Sequence, residues 1–300
     1  MTPPTGRQWT IRRREHVAVV VEVGGGLREY AVGPVPVLAG YAEDQECTAG
    51  RGQLLVPWPN RIRDGRYTFE GRDQQLPLTE PALHNASHGL LRWAPWSVRD
   101  HADDRLVVGV VLHHQPGWSA TLDVEVAYGL GEDGLTVASR VTNTGDVPAP
   151  FGYGAHPYLA LGDRPADDAV LTLPAGTVVR TDERNLPTAV VPVPEELDFR
   201  RARRLGTTEL DTPYGDVVRG DDGRWVARVE AGGTTRVLWA DEAFPWLQAF
   251  TGRARDGKGS PRGIAVEPMT CPPDAFNSGT DLLVLQPGDS WAGTWGVGLA

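Results

Sequence analysis

Glu267 is the carboxylate whose neighbours in the sequence best suit acid–base chemistry. It follows the apolar run 264–266, which is typical of a buried strand, and it precedes Pro268, Pro272 and Pro273. Because proline interrupts a β-ladder, we expect Glu267 to lie where the strand ends and a loop begins. Partial desolvation there would raise its pKa toward the range of a general base. A Glu at a strand end is more often solvated or ion-paired, so a catalytic role needs support from other residues.

His156 is the second candidate for proton transfer. In PFGYGAHPYLAL it stands two residues after Gly154 and directly before Pro157, so we expect the backbone to be held while the imidazole projects. An isolated histidine is more often a satisfied core or surface residue, but one fixed between Gly154 and Pro157 among aromatic residues suits a proton donor.

Three other side chains could hold a substrate. Arg61, in VPWPNRI, is expected on a rigid loop, and its planar guanidinium suits sugar hydroxyls or an anion. His88 lies four residues after His84, the helical spacing of a zinc pair, but the glycine and proline nearby argue against a helix. We therefore expect His88 to be a hydrogen-bond donor on a loop. Asp211 is expected as a loop carboxylate, a position where a turn-former or cap is the commoner role.

The elements that must position these residues are predicted to be strands. The chain has 36 Gly, 25 Pro and only 2 Met, and apolar and polar residues alternate along many segments. This pattern predicts an all-β fold of antiparallel strands with very little helix, in one domain over residues 1–300. A short helix is expected only at 200–204, and a polar loop at 252–262 precedes the Glu267 strand.

Composition excludes several classes of function. The net charge of −10 argues against a nucleic-acid partner. No apolar run is long enough to span a bilayer and no export signal is evident, so we expect a cytoplasmic protein without a membrane partner. Cys47 and Cys271 have no CxxC spacing, so we expect free packing thiols rather than a disulfide or a cysteine zinc site.

Five segments together resemble the aldose 1-epimerase (galactose mutarotase) family. They are PWPNRI, SHG, GAHPYL, LDTPY and VEPMTCPPDAFNSG, in chain order. Within the family the chain is most similar to the bacterial branch with the EPMTCPPDAFN signature, some members of which are linked to sulfosugar metabolism.

The resemblance implies a galactose mutarotase-like β-supersandwich whose concave face binds a sugar. It makes Glu267 the general base and His156 the general acid. It places His88 on the ring or anomeric oxygen and Arg61 and Asp211 on hydroxyls. No cofactor or metal is implied. The partner is a small-molecule sugar, and we expect a monomer or weak homodimer.

The chemistry of anomer interconversion requires such a pair. A base removes the proton of the C1 hydroxyl while an acid protonates the ring oxygen, and the ring opens to the aldehyde. Trp58, Tyr153 and Phe276 could cover the apolar face of the sugar. Three alternatives remain open: an epimerase of a phosphorylated or sulfonated hexose, a noncatalytic sugar-binding module, and a glycoside hydrolase using Glu267 with Asp211.

Overall fold

The computed structural model describes residues 2–252 and 263–300, so most of the loop expected at 252–262 lies outside the described residues. The strands of the first half are β1 (Gln8–Arg13), β2 (His16–Val21), β3 (Leu27–Val32), β4 (Val35–Pro36), β5 (Leu54–Leu55), β6 (Arg61–Arg63), β7 (Arg66–Phe69), β8 (Arg72–Gln75), β9 (Asn85–Ser87), β10 (Ser97–His101), β11 (Arg105–Leu112), β12 (Leu122–Leu130) and β13 (Leu135–Asn143). Those of the second half are β14 (Ala149–Phe151), β15 (Gly154–Ala155), β16 (Tyr158–Leu159), β17 (Val170–Thr172), β18 (Ala175–Thr181), β19 (Pro187–Pro192), β20 (Arg203–Arg204), β21 (Asp211–Val217), β22 (Trp225–Ala231), β23 (Thr234–Ala240), β24 (Trp246–Phe250), β25 (Ile264–Met269), β26 (Leu283–Leu285) and β27 (Ser290–Leu299).

Helix is scarce in the described ranges. It consists of the short α1 (Ala275–Ser278) and of 3₁₀ turns at Pro81–Leu83, Ala166–Asp168 and Glu195–Leu197. The prediction of an all-β protein with very little helix is confirmed.

Within the described residues, the strands pair antiparallel into two large sheets and several small ones. One large sheet has nine strands in the order β10-β11-β12-β13-β27-β23-β22-β17-β20. The other has eight, in the order β19-β18-β21-β24-β25-β15-β5, with β16 also paired to β25. Strands β1 to β4 form a separate four-stranded sheet.

Strand β12 shows how the sequence forms these sheets. Leu122, Val124, Val126 and Tyr128 alternate with less buried residues and are fully buried. Because successive side chains of a strand point to opposite faces, these four share one face, and they pack into the main core. Burying one such side chain contributes about 1.5–3 kcal/mol to the hydrophobic stabilisation.

Strands β24 and β25 have one face in this core and the other turned away from it. Leu247, Ala249 and Val266 belong to the core. Gln248 lies between two of these core residues and Glu267 directly follows Val266, so both side chains point to the opposite face. The strand register places Gln248 directly across from Glu267.

The prediction that the strand ends at Glu267 is wrong, because β25 continues through Pro268 and ends at Met269. The backbone N–H groups of Val266 and Thr270 both donate to carbonyls of segment 153–159, which contains β15 and β16. The Pro268 nitrogen lies between them on the same side of the strand, where the two-residue gap between β15 and β16 offers no ladder partner. A residue without an N–H is therefore tolerated inside this sheet.

The helix expected at 200–204 is also not formed. Arg203–Arg204 is strand β20, paired with β17. The Arg203 guanidinium donates to the backbone carbonyls of Glu195 and Glu196, at 2.8 and 2.6 Å. These bonds to the preceding turn hold the segment extended.

Candidate active site

A cavity of about 400 Å³ lies on the face of the eight-stranded sheet that is turned away from the core. All five side chains singled out in the sequence line it: Arg61, His88, His156, Asp211 and Glu267. They are carried by β6, the residue after β9, the gap between β15 and β16, the start of β21, and β25. The fold therefore brings together residues that are up to about two hundred positions apart in the sequence.

Glu267 and His156 are in direct contact in this cavity. Glu267 Oε1 lies 3.2 Å from His156 Nε2, and the two side chains are only 2% and 6% exposed. Glu267 Oε2 and His156 Nδ1 are buried and have no hydrogen-bond partner among the described residues. Leaving buried polar atoms without partners is costly, so such atoms mark a place where a ligand hydroxyl can bind.

The backbone of His156 is fixed by the loop at 50–53. Its N–H donates to the carbonyl of Gln53 at 3.0 Å, and its carbonyl accepts from the N–H of Gly52 at 2.9 Å. Gly50, with φ of +72°, packs so closely that a Cβ there would lie 2.8 Å from the imidazole Cδ2. The imidazole is thereby held at the gap between β15 and β16.

His88 is oriented by a reciprocal contact with Asn60. The His88 N–H donates to the Asn60 carbonyl at 2.8 Å, and the Asn60 N–H donates to His88 Nδ1 at 3.2 Å. Because Nδ1 accepts a hydrogen bond, the neutral ring carries its proton on Nε2. As predicted, His88 is not on a helix, and its Nε2–H can donate into the cavity.

Arg61 and Asp211 form a network in the cavity wall. The Arg61 guanidinium donates two bonds to Glu80, at 2.8 and 3.1 Å, and one to Asp211 at 3.3 Å. Asp211 also accepts from Gln248 at 2.6 Å and from Asn185 at 3.1 Å. Asp211 begins strand β21 rather than lying in a loop. Both side chains are held in place by these partners, and two carboxylates neutralise the charge of Arg61.

Burial shifts the proton equilibria of the catalytic candidates. It raises the pKa of Glu267 well above the usual glutamate value, and the negative charge of Asp211 raises it further. Burial also lowers the pKa of His156 to about 3, with the positive charges of Arg92 and Arg51 acting in the same direction. Both shifts favour neutral side chains, so the contacting pair is expected to share one proton over a wide pH range.

The cavity includes functional candidates that were not identified from the sequence: Glu80, Arg92, Trp93, Asn185 and Gln248. Gln248 could have been identified from the sequence, because it is the one polar residue in the apolar strand WLQAF. The other four stand in segments where charged and polar residues are ordinary. Their role depends on contacts that no local pattern specifies.

The aromatic residues expected to cover a sugar lie elsewhere. Trp58, Tyr153 and Phe276 are buried members of the core, with Trp58 and Phe276 packed edge to face at 5.7 Å between ring centroids. The aromatic residues that line the cavity are instead Trp93, which is 60% exposed, and Phe250. Sequence spacing could not separate these two sets, because both stand beside glycine, proline and apolar residues.

The residues that the structure describes include neither a metal-binding cluster nor a helix that could span a membrane. Residues 2–252 and 263–300 contain no cluster of three or more His, Cys, Asp or Glu side chains that could hold a metal ion. Over the same ranges, none of the helices has the length and apolar character needed to cross a membrane. Cys47 and Cys271 are buried free thiols, as predicted.

Sequence comparison relates the chain to sugar epimerases. Residues 7–297 match the family model described as aldose 1-epimerase. The chain is 32% identical over 288 residues to YihR of Escherichia coli (strain K12), covering 95% of this chain and 90% of that protein. It is 26% identical over 248 residues to galactose mutarotase of Mus musculus, covering 77% of this chain and 70% of the mouse protein.

Solved structures with the same fold cover almost the whole chain. A galactose mutarotase-like protein from Clostridium acetobutylicum has a TM-score of 0.85 at 18% identity, covering 97% of this chain and 94% of its own. A GalM/aldose epimerase homologue from C. elegans has a TM-score of 0.85 at 18% identity, covering 98% and 99%. The architecture is therefore the galactose mutarotase-like one.

Proposed function

This chain belongs to the aldose 1-epimerase family, and we propose that it interconverts the α and β anomers of a free hexose by opening and reclosing the ring. The buried contact between Glu267 and His156 in the cavity carries this proposal. Ring opening needs one group that removes the proton of the C1 hydroxyl and one that protonates the ring oxygen. Glu267 is the base in this reaction and His156 is the acid.

The pair is competent when it holds one proton. In the ion-pair form, Glu267 is a carboxylate and His156 an imidazolium. Ring opening moves a proton from the C1 hydroxyl to Glu267 and another from His156 to the ring oxygen, while the bond between C1 and that oxygen breaks. The open-chain aldehyde then lies beside a neutral pair, the form that burial favours. Rotation about C1–C2 and the reverse transfers give the other anomer.

The remaining cavity residues hold the sugar. His88 donates Nε2–H to the ring or anomeric oxygen. Arg61 and Asp211 bind hydroxyls, and both retain bonding capacity, because a guanidinium offers five N–H groups and a carboxylate about four lone-pair sites. Their existing partners fix them before the sugar arrives, which lowers the entropic cost of binding.

Polarimetry starting from pure α-glucose or α-galactose tests this function. We expect acceleration in proportion to protein concentration, without added nucleotide and unchanged by a metal chelator. The rate should fall in the Glu267→Gln variant. Sugar binding by calorimetry without any acceleration, for every sugar tested, would instead identify a noncatalytic sugar-binding module.

A phosphorylated or sulfonated hexose is a second candidate substrate. The environment of Arg92 favours it. Arg92 lines the cavity, and among the described residues no carboxylate lies within ion-pair distance of it, whereas Arg61 contacts two. Burial lowers the pKa of Arg92, a sign that its charge is poorly solvated. An anionic substituent would supply the missing counter-charge through bonds to the planar guanidinium.

A rate panel distinguishes the two substrates. Each neutral hexose is compared with its 6-phosphate and 6-sulfonate, using wild type and Arg92→Gln. An anionic substrate predicts a KM for the charged sugar that rises at least about tenfold in Arg92→Gln, because a hydrogen bond to a charged group contributes roughly 1.5–3 kcal/mol. Faster turnover of the neutral hexose, with no effect of Arg92→Gln, would support a neutral substrate and exclude the anionic one.

We also propose that the chain belongs to the bacterial branch whose signature EPMTCPPDAFN stands at residues 267–277. Some members of this branch are linked to sulfosugars, and for this reason the rate panel includes the 6-sulfonate. A cytoplasmic location and a monomeric or weakly dimeric state stay predictions.

A further inference from the structure

The phenol ring of Tyr158 contacts both His156 and a cationic side chain. His156 stacks on it, with ring centroids 5.1 Å apart and planes inclined by 10°. The guanidinium carbon of Arg51 lies 5.3 Å from the centroid of the same phenol ring. These three side chains are called the Tyr158 stack below. Arg51 and Tyr158 have no part in the proton transfers proposed above.

Three consecutive loop residues contact this stack. The carbonyl of Ala49 accepts a hydrogen bond from the Tyr158 hydroxyl at 3.2 Å. Gly50 packs against the imidazole of His156, and Arg51 packs on the phenol ring. One short stretch of backbone therefore fixes the phenol ring, the imidazole and the cation relative to one another.

The charge of Arg51 is not neutralised locally. Its NH1 donates to the backbone carbonyl of Gly40 at 3.3 Å, and its Nε is buried without a hydrogen-bond partner among the described residues. Within that same set of residues, no carboxylate lies within ion-pair distance of Arg51, in contrast to Arg61. An unneutralised cation this close to the cavity acts on the ionisation of its neighbours.

We propose that Arg51 and Tyr158 are positioning residues for His156. Tyr158 fixes the plane of the imidazole toward Glu267, and Arg51 keeps a positive charge beside it that favours release of the proton. This inference rests on the acid role proposed for His156. It adds two residues that act on the reaction through the imidazole and do not touch the sugar.

The ionisable surroundings of His156 support the electrostatic part. Five titratable or charged groups face it from the packed elements: Glu267 on β25, His88 after β9, Arg92 in the following turn, Tyr158 on β16, and Arg51. The two cations oppose an imidazolium, and their charges add to burial in lowering the pKa of His156. The two spacings within the stack put Arg51 at most about 10 Å from the imidazole. At an effective dielectric constant near 20, this corresponds to a shift of roughly one pH unit.

The first test removes the charge of Arg51. In Arg51→Gln we expect the acidic limb of the pH profile of kcat/KM, where the pair takes up a second proton on His156, to move to higher pH by roughly one unit. Arg51→Lys, which keeps the charge, should stay near the wild-type profile. Arg219→Gln is the matched control, because Arg219 is a partly buried arginine that bonds backbone carbonyls and does not line the cavity. An acidic limb that stays in place in Arg51→Gln overturns the electrostatic part.

The second test separates the ring from its hydroxyl. Tyr158→Phe keeps the stacking surface and should retain most of kcat. Tyr158→Leu removes the flat surface, so kcat should fall at least about tenfold while KM changes only a few-fold, as for loss of an interaction specific to the transition state. Full kcat in Tyr158→Leu overturns the positioning role.

A third readout does not depend on activity. Imidazole ¹³Cε1 NMR titration, with the His156 resonance assigned by its loss in His156→Asn, should show His156 titrating at higher pH in Arg51→Gln than in wild type. This result would support the inference even if no tested sugar is turned over. An unchanged His156 titration in a folded Arg51→Gln protein overturns the electrostatic part of the inference, whatever becomes of the proposed function.

Discussion

Gln248 and Glu267 stand directly opposite each other on β24 and β25, and Gln248 Nε2 also donates a 2.6 Å hydrogen bond to Asp211 Oδ1. Gln248 thus links β24, at the position beside the proposed base, to the proposed hydroxyl-binding carboxylate on β21. Because β21, β24 and β25 are adjacent in the sheet, this link follows the hydrogen-bonding direction of the strands.

Loss of this link should weaken sugar binding more than it slows chemistry. Gln248→Leu frees Asp211 on one side and removes a bond to a charged group, which contributes roughly 1.5–3 kcal/mol. We expect KM to rise about tenfold or more and kcat to change less, in steady-state polarimetry. The exposed Gln45→Leu is the control and should match wild type. An unchanged KM in Gln248→Leu would contradict this role.

Glu267→Gln keeps the shape of the side chain and removes the base. We expect turnover to fall at least ~10²-fold, the usual contribution of one acid–base group, while sugar binding by calorimetry stays within a few-fold. His156→Asn should behave similarly. The exposed Glu230→Gln on β22 controls for loss of a carboxylate. Near-wild-type turnover in Glu267→Gln would show that the base is another group, and Asp211 would be tested next.

The same Glu267→Gln change should stabilise the protein at neutral pH. The folded-state pKa of Glu267 lies above the ordinary value of 4.5, mainly because of burial. The stabilising contribution of a carboxyl group with a raised pKa is present below its unfolded pKa and is lost as pH rises toward the folded pKa. Glutamine has no such proton. The Tm advantage of the variant should therefore grow from pH 4.5 to pH 8, at roughly 2–4 °C per kcal/mol.

Thermal scans of wild type, Glu267→Gln and Glu230→Gln across this pH range measure the effect. Comparing each variant with wild type at the same pH removes the contribution of other titrating groups. A Tm difference that does not vary with pH would mean that Glu267 is ionised as readily in the folded chain as in the unfolded one.

Gly50→Ala should damage activity beyond its effect on stability. The added Cβ would meet the His156 imidazole at 2.8 Å, and we expect kcat to fall at least about tenfold. Gly162→Ala is the matched control, because φ is also positive there (+62° against +72°) and nothing lies within 4 Å of the added atom. Both variants carry a similar backbone cost of about 1 kcal/mol, so a larger fall of Tm in Gly50→Ala than in Gly162→Ala reports the contact with His156. Equal activity of the two variants would contradict the close packing.

The sequence supplied the sheet architecture and the five cavity residues, but not how the fold presents them. Alternation along β12 is a local signal, so strand formation there was predictable. Because proline interrupts a β-ladder, Pro268 predicts that the strand ends at Glu267. The strand continues instead, because the Pro268 nitrogen faces the gap between β15 and β16. That gap lies more than a hundred residues earlier in the chain. Position in the sequence cannot report which neighbour a backbone nitrogen faces.

Burial of aromatic residues was unpredictable for a related reason. Trp58 and Trp93 are both tryptophans beside prolines or small residues, yet one is in the core and the other is 60% exposed at the cavity. Trp58 packs edge to face against Phe276, a residue more than two hundred positions later in the chain. Such information is carried by contacts between distant segments.

The gap between β15 and β16 that holds His156 also separates two parts of the sheet that differ in their stability against local opening. On one side β25 pairs with β24 over five residue positions, whereas on the other it meets only the short strands β15 and β16. Amide protons between β24 and β25 should therefore exchange with deuterium more slowly than those of segment 153–159. The base belongs to the slowly exchanging region and the acid to the faster one. A local opening of that segment would separate the two groups and admit solvent between them, without unfolding the rest of the domain.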